Sequence, residues 1–361
     1  MSEDARWMAR ALELAARGWG RVAPNPLVGA VIVRDGVAVG EGWHTEYGQP
    51  HAEAEALRAA GEAARGATAY VTLEPCSHFA KTPPCTDGLL AAGVRRVVFA
   101  AHDPNPRAAG GGEVLRAAGV EVLGGVMEAE ARDQNALFFH AHSNSARPFV
   151  ALKLALTLDG RIADHAGSSV WITGEGARAE VHRLRAGFDA VAVGSGTALA
   201  DDPRLTVRGP VEPRVPPTRV VFDRTLRLPL ASRLVGTARE VPVTVVAGSD
   251  PPAESAAALG LHGVRVLVST GIHDGLLALR ESGIGSVFVE GGAKLASALL
   301  NADVVDRLYL FYAPLFLGPG GVGAFAELDT VEIGAAHRWR RLRTETFGAD
   351  TLITLARHTG G

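Results

Sequence analysis

The chain alternates short runs rich in β-branched residues with runs of helical periodicity along almost its whole length. GAVIV, ATAYVTLEP and VRRVVFAA are separated by HAEAEALRAAGEAA and CTDGLLAAG, and GGGEVLRAAG and VEVLGG follow them. Such alternation is typical of α/β domains with a largely parallel sheet. The first 145 residues therefore predict an α/β/α sandwich in which RDG turns the first two strands into a hairpin.

A second alternating pattern begins after HAHSNSARPFV, where small polar residues and Pro148 separate two apolar patterns. Its predicted strands are FVALKLAL, AVAVG, RVVFD, VTVVA, RVLVS, SVFVEGG and RLYLFYAP, with helices such as GARAEVHRLRAG and AKLASALLN between them. A chain of 361 residues exceeds what one core usually supports. We therefore predict two α/β domains, residues 1–145 and 146–361.

Charge and hydropathy exclude two classes of partner. The formal net charge is −3, and both signs are mixed along the chain without a basic stripe, so a nucleic-acid partner is not expected. The N-terminus has helical spacing but no apolar signal-peptide block, and no apolar run is long enough to span a membrane. We expect a cytoplasmic enzyme that acts on a small molecule and assembles as a homo-oligomer.

The chain has only 2 cysteines, and both lie close to a His-Ala-Glu motif. His51 opens a predicted helix, Glu53 follows two residues later, and Cys76 and Cys85 each follow a proline and open a predicted turn or helix. One imidazole and two thiolates are zinc ligands, and a catalytic zinc keeps a fourth position for water, whose pKa it lowers to about 7. Glu53 is then a general acid–base group that moves the water's proton to a leaving amine.

These residues by themselves also allow other structural interpretations. A Cys76–Cys85 disulfide, two unrelated core thiols, or a structural zinc site completed by His44 or His78 would each use the same side chains. Glu55, in the same helix as Glu53, is expected to be a surface charge without a role.

HAE followed by PC and a second Cys resembles the zinc-dependent cytidine deaminase superfamily. Most members have PC-x2-C, whereas this chain has PCSHFAKTPPC, with eight residues between the cysteines. Together with PNPLVGAVIV and DPNP, this spacing is similar to the deaminase half of the bifunctional riboflavin-biosynthesis deaminase/reductase family, and the resemblance covers the whole chain.

The resemblance implies deamination of 2,5-diamino-6-(5-phosphoribosylamino)pyrimidin-4-one. It also implies residues that bind the base, ribose or phosphate of this substrate, namely Asn25, His44, His78, Lys81, Asp103 and Asn105. Each has an ordinary alternative, because PNP and DPNP are good turns and a lysine is often a solvated cation.

Two glycine-containing turns in the second half could hold phosphate. GSGTAL follows the predicted strand AVAVG, but Leu199 replaces the third glycine of GxGxxG and no acidic residue stands at the usual distance, so a Rossmann dinucleotide site is disfavoured. VFVEGGAKLASAL is a better cradle, because its glycines precede a helix N-terminus, although a plain strand-to-helix turn has the same pattern.

LDGRIA, SSVWITG, LADDPRLTVR and VEGG resemble the reductase domain of the same bifunctional family. The resemblance implies a dihydrofolate-reductase-like fold, NADPH as cofactor, and hydride transfer to C1′ of the ribose. The implied cofactor contacts are Ala155, Trp171, Thr197, Asp201, Gly292, Ala293, Lys294, Leu295, Ala296, Ser297 and Ala298. The implied substrate contacts are Lys153, Asp159, Ser169, Arg185, Leu205, Arg208 and Glu290.

We therefore expect one Zn²⁺ per chain, NADPH, and successive deamination and reduction of one phosphorylated pyrimidine. The alternative is another nucleobase or polynucleotide deaminase with a non-catalytic NADPH-binding or oligomerisation module. The mixed surface charge and the long spacing between Cys76 and Cys85 argue against a polynucleotide substrate.

Overall fold

The computed structural model describes residues 1–78, 83–169, 172–209, 211–325, 327–336 and 338–357. The chain divides into two compact units, Met1–Asn144 and Ser145–Gly361, which are called the first and the second unit below. None of the helices in these ranges is both long and apolar enough to cross a lipid bilayer.

The first unit is a sheet covered by helices. Its strands are β1 Gly29–Arg34, β2 Val37–Trp43, β3 Thr68–Leu73, β4 Arg96–Ala101 and β5 Glu121–Gly124. Its helices are α1 Glu3–Ala15, α2 Ala52–Ala60, α3 Cys85–Ala91, α4 Gly111–Ala117, α5 Glu128–Gln134 and α6 Ala136–Ala141. The strand order is β2-β1-β3-β4-β5; β1 is antiparallel to both neighbours, and β3, β4 and β5 are parallel.

Glycines in β2 let helix α2 lie directly on the sheet. A Cβ atom at Gly40 would stand 2.2 Å from the Ala56 carbonyl oxygen, and one at Gly42 would stand 2.4 Å from the Ala52 carbonyl oxygen. Only residues without a side chain permit this approach. The N-terminus of α2, where the His-Ala-Glu motif lies, is therefore placed by backbone packing against β2.

The second unit contains a larger sheet. Its strands are β6 Phe149–Thr157, β7 Arg161–Ala163, β8 Ala190–Gly194, β9 Thr218–Phe222, β10 Val243–Ala247, β11 Val264–Val268, β12 Ser286–Glu290, β13 Arg307–Ala313, β14 Val322–Gly323, β15 Trp339–Phe347 and β16 Asp350–Arg357. Its helices are α7 Glu175–Arg185, α8 Ser195–Asp201, α9 Arg233–Gly236, α10 Ala253–Leu261, α11 Ile272–Glu281 and α12 Ala293–Asn301.

Within the described ranges, nine of these strands form one sheet in the order β11-β10-β9-β8-β12-β6-β13-β16-β15, and β7 pairs with β14. The strands from β11 to β13 are parallel, whereas β16 and β15 form an antiparallel hairpin at the edge. The sequence analysis predicted the seven parallel strands but not this hairpin, nor helices α5 and α6.

The two faces of this sheet carry different helices. Ala192 of β8 packs in one core cluster with Leu276 of α11 and Leu299 of α12. The next residue, Val193, faces the opposite cluster, which contains Ala198 of α8. β8 and β12 are parallel neighbours, but the helices that follow them leave toward opposite faces. Such a switch point opens a crevice at the carboxyl ends of the two strands, where α/β sheets bind ligands.

Candidate active sites

The first unit brings His51, Cys76 and Cys85 together. Their ligand atoms all lie within 4.8 Å of one another, and both cysteines are free thiols. His51 is the N-cap of α2 and Cys85 is the first residue of α3. Cys76 lies in the loop after β3, so the prediction that it opens a turn or a helix was wrong. The disulfide alternative is excluded because the two thiols are not bonded to each other.

The spacing of these three atoms fits a zinc ion. His51 Nδ1 lies 3.2 Å from Cys85 Sγ and 3.6 Å from Cys76 Sγ. A tetrahedral zinc with Zn–S bonds of about 2.3 Å and Zn–N bonds of about 2.0–2.1 Å places its nitrogen and sulfur ligands roughly 3.6 Å apart. Among the residues that the structure describes, these three form the one such cluster of His, Cys, Asp and Glu, so the fourth ligand of a structural site is not found there.

The three side chains shift one another's pKa values. The pKa of Cys76 is lowered to about 4 because the Cys85 thiol and the His51 ring donate hydrogen bonds to its sulfur. The pKa of Cys85 is raised by the same contact with Cys76 and by burial. The hydrogen bond to Cys76 raises the pKa of His51. One thiolate therefore exists at neutral pH, and a divalent cation would stabilise the second.

Glu53 lies in the first turn of α2, and only 4% of its surface is exposed. Burial raises the pKa of its carboxyl group, and the Cys85 thiol donates a hydrogen bond to it. Glu55, two residues later, instead forms an ion pair with Arg58 on the helix surface. Glu53 is thus held beside the three candidate ligands without belonging to their cluster.

A cavity of about 270 Å³ opens beside this cluster. It is lined by five of the predicted substrate contacts together with candidate ligands and Glu53, namely Asn25, His44, His51, Glu53, Cys76, His78, Asp103 and Asn105. The sixth, Lys81, lies outside the described residues. The structure therefore gathers residues from four separate sequence motifs around one space.

His44, which is buried, and Asn25, which is partly buried, form a pair at the wall of this cavity. The Pro50 carbonyl lies 3.0 Å from His44 Nδ1 and can only accept, so His44 carries its proton on Nδ1. Nε2 is then an acceptor for the Asn25 side-chain amide at 3.1 Å. Burial lowers the pKa of His44 and keeps the ring neutral. The two hydrogen bonds therefore fix the orientation of both side chains, including the direction of the Asn25 amide carbonyl.

Asp103 and Asn105 form the turn that their motif predicted as the ordinary alternative. An Asp103 carboxylate oxygen accepts a hydrogen bond of 2.8 Å from the Asn105 backbone, and Asn105 Oδ1 accepts one of 3.1 Å from the Arg107 backbone. Burial raises the pKa of Asp103. Both residues nevertheless line the cavity, so the turn and a substrate contact are compatible.

The sequence analysis missed several residues that build this site. Glu74, in the run LEPC, lines the cavity, and its buried carboxylate accepts a 3.0 Å hydrogen bond from the Gly112 backbone. Asn135 binds the loop before β1 through both backbone groups of Leu27, accepting from its N–H at 2.7 Å and donating to its carbonyl at 2.9 Å. Phe138 of α6 also lines the cavity. Glu74 could have been noticed in the sequence because it directly precedes the PC motif. No sequence pattern marked Asn135.

The second unit places a buried ion pair at its switch point. Arg185, the last residue of α7, binds both carboxylate oxygens of Glu290, which ends β12, and the Nη2–Oε2 distance is 2.9 Å. Lys153 is the register partner of Glu290 on β6. Burial lowers the pKa of Lys153, whereas the facing Arg185 and Lys153 outweigh burial and hold the pKa of Glu290 at about 2. Three predicted substrate contacts thus form one charged cluster.

The remaining predicted substrate contacts fall into two groups. Leu205 is buried with φ +52, a left-handed conformation that is rare for leucine, and Arg208 is exposed in the same segment. Both Asp159 carboxylate oxygens accept hydrogen bonds, from the Thr157 hydroxyl and from the backbone of residues 317 and 318. Ser169 is exposed. These hydrogen bonds make Asp159 an anchor for the loop at residues 317 and 318. Its contact with the substrate stays a prediction.

The predicted cofactor segments meet at the crevice. A Cβ atom at Gly292, the N-cap of α12, would stand 3.3 Å from Thr197 Oγ1, and one at Gly194 would stand 3.5 Å from Leu295 Cβ. GSGTAL is the start of helix α8 rather than a phosphate loop. Asp201 ends α8, and Ala155 is half-buried on β6, with Phe311 as its register partner. Trp171 lies outside the described residues.

Two family models match the chain in tandem. The first, described as the cytidine and deoxycytidylate deaminase zinc-binding region, matches residues 1–101 and includes all three candidate ligands. The second, described as the RibD C-terminal domain, matches residues 148–353.

Known proteins match over the full length of the chain. The riboflavin biosynthesis protein RibD of Escherichia coli is 44% identical over 98% of this chain and 99% of its own length. A solved structure of RibD from Acinetobacter baumannii is 40% identical, covers 99% of both chains and has a TM-score of 0.82. A diaminohydroxyphosphoribosylaminopyrimidine deaminase/5-amino-6-(5-phosphoribosylamino)uracil reductase from Thermotoga maritima is 37% identical, again over 99% of both chains, with a TM-score of 0.82.

Proposed function

The chain belongs to the RibD family of bifunctional deaminase/reductase enzymes of riboflavin biosynthesis, and we propose that each unit carries one of the two reactions. The first unit deaminates 2,5-diamino-6-(5-phosphoribosylamino)pyrimidin-4-one. The second reduces the product, 5-amino-6-(5-phosphoribosylamino)uracil, to its ribityl form with NADPH. One observation carries the proposal: His51, Cys76 and Cys85 converge beside buried Glu53 in a cavity lined by polar side chains.

In the first unit, a zinc ion held by His51, Cys76 and Cys85 would supply a Lewis acid that makes water nucleophilic at neutral pH. The oxygen of water bonds to the ring carbon that bears the 2-amino group, the carbon–nitrogen bond breaks, and ammonia leaves. Glu53 takes a proton from the water at its carboxylate and delivers it to the departing nitrogen. Asn25, with its amide oriented by His44, would bind the ring.

In the second unit, NADPH supplies a hydride when it is bound, and the protein orients the two reactants and excludes water. Thr197 and the residues from Gly292 to Ala298 would hold the cofactor at the carboxyl ends of β8 and β12. Arg185, Arg208, Lys153 and Glu290 would hold the substrate on the other side of the crevice. A guanidinium fork matches phosphate oxygens, so the arginines suit the phosphate group of this substrate.

The proposal is tested with the purified full-length chain and the diaminopyrimidine ribosyl phosphate, with and without NADPH. Ammonia release and NADPH oxidation are followed separately. We expect ammonia in both conditions and NADPH oxidation only after deamination. Ammonia release without any NADPH oxidation, even from supplied deaminated intermediate, would mean that the second unit is a non-catalytic module.

Removal of zinc gives a second test of the division. A chelator should abolish ammonia release, and added Zn²⁺ should restore it, because ligation requires the three side chains that converge in the first unit. NADPH oxidation with supplied deaminated intermediate should continue during chelation. A purified active chain without about one zinc per chain would contradict the assigned site. We further propose that the enzyme works in the cytoplasm as a homo-oligomer.

A further inference from the structure

His182 lies beside the charged cluster of the second unit and was not among the predicted site residues. It is three residues before Arg185 on α7, so the two side chains share one face of the helix. The side chain is half-buried, and its Nδ1 atom accepts a 3.1 Å hydrogen bond from the backbone N–H of Arg208. A backbone N–H can only donate, so Nδ1 is unprotonated and the ring proton is on Nε2.

Side chains of helix α7 thus form two hydrogen bonds with the backbone of segment 205–208. Arg185 Nη1 donates a 2.9 Å hydrogen bond to the Thr206 carbonyl, and His182 accepts from Arg208 two residues later. The segment begins at Leu205, whose left-handed backbone is unfavourable for a leucine and requires support from its surroundings. Burial of the Leu205 side chain supplies one support, and the two bonds from α7 supply the others.

The choice of a histidine as the acceptor has an electrostatic reason. Burial, with the neighbouring Arg185 and Arg208 guanidinium groups, lowers the pKa of His182 to about 4. The ring is therefore neutral when the enzyme works. An aspartate could accept the same backbone bond, but it would add a second negative charge to that of Glu290 and weaken the positive potential near Arg208. A neutral acceptor leaves that potential available to a phosphate group.

We propose that His182 is a positioning residue for reduction: its Nδ1 anchors the backbone of Arg208 and so holds the Arg208 guanidinium group in place for the substrate phosphate. The proposal rests on the proposed function, because it assumes that Arg208 contacts the substrate. It predicts that the position of the acceptor atom matters more than the size of the side chain.

The test measures kcat and KM for reduction of supplied 5-amino-6-(5-phosphoribosylamino)uracil at saturating NADPH with the full chain. His182→Leu and His182→Gln should each raise KM roughly tenfold, the cost of losing one hydrogen bond, with kcat little changed. His182→Asn should stay near the native KM, because Asn Oδ1 can replace Nδ1, whereas Gln places its oxygen one bond further out. An unfolded fraction would lower kcat without changing KM, so an unchanged kcat reports in each variant that the second unit has folded.

Arg208→Gln, alone and combined with His182→Leu, separates this inference from the proposed function. We expect Arg208→Gln to raise KM and the double variant to be no worse, because His182 acts through Arg208. A native KM for Arg208→Gln would refute the assigned role of Arg208. If Arg208→Gln raises KM but His182→Leu and His182→Gln do not, or if the His182→Leu effect persists in full without Arg208, the positioning role is wrong.

Discussion

The first unit assembles its site from side chains on short motifs that carry their chemistry with them, whereas the second assembles its site from the topology of a sheet. His51, Cys76 and Cys85 could bind one ion wherever they met, and Glu53 is two residues from one of them. Arg185 and Glu290 are 105 residues apart and form an ion pair only because α7 ends beside the carboxyl end of β12. Metal ligands are thus recognisable in isolation, but a charged cluster is recognisable only after folding.

The two sites also differ in how they respond to a single substitution. Loss of the acid–base group in the first unit removes a chemical step and leaves the ligands in place. Loss of one charge in the second unit leaves a partly buried partner with too little compensation. Variants in each unit should therefore produce different signatures.

The largest effect is expected for Glu53→Gln. The amide cannot accept the water's proton, so deamination should fall by roughly 10²–10⁴-fold, the usual contribution of proton transfer. Zinc content should be unchanged, because Glu53 is not in the ligand cluster, and reduction of supplied deaminated intermediate should continue at the native rate. Equal loss of both activities would show that the two units do not act as separate sites.

Arg185→Gln should abolish most reduction and spare deamination. Glu290 would lose both bonds from Arg185 and keep only Lys153 as a counter-charge, so the free energy of unfolding of the second unit should fall by about 3 kcal/mol, the lower end of the range for a broken buried pair. Chemical denaturation, followed by far-ultraviolet circular dichroism, measures this change. Arg343→Gln is the matched control, because Arg343 pairs with Glu345 at 3.0 Å on the exposed strand β15 and should contribute about 0–1 kcal/mol. Similar losses in the two variants would contradict the buried-pair interpretation.

Asn135→Ala tests whether the first unit also depends on support from distant residues. The change leaves the N–H and the carbonyl of Leu27 without a partner, which costs about 1–3 kcal/mol per buried group, and loosens the loop that carries Asn25. We expect KM for deamination to rise while zinc content is retained. Gln134→Ala, which removes a single bond to the Leu12 carbonyl, is the control and should leave KM unchanged.

The smallest effect is a pH dependence from His182. Its pKa is lowered from 6.5 to about 4, so between these values the unfolded chain binds a proton that the folded chain does not. Stability from this group is therefore complete above pH about 6.5 and falls as the pH drops toward about 4. Arg185, Arg208 and Glu290 face the same ring and remain charged across this window. Urea midpoints of the second unit at about pH 7 and about pH 5 should differ less in His182→Asn than in the native chain.

Much of the molecule was predictable from the sequence, because local patterns carried the information. Period-2 and helical patterns predicted the strands from β1 to β13 except the short β7, and the spacing of His51, Cys76 and Cys85 predicted a metal site. The missed elements are those in which tertiary packing outweighs local pattern. β15 and β16 are rich in charged residues and threonine and pair at the edge of the sheet, while α5 is polar and short and α6 has only 6 residues.

By itself, the sequence determined which chemistry the chain can perform, because ligand atoms and an acid–base group are properties of residue types at short spacing. Only the tertiary structure decided where the supporting bonds lie. The bond from Asn135 to Leu27 spans 108 positions, and the neutral state of His182 depends on burial and on two neighbouring cations. Both depend on distances between atoms that are remote along the chain, which no local pattern encodes.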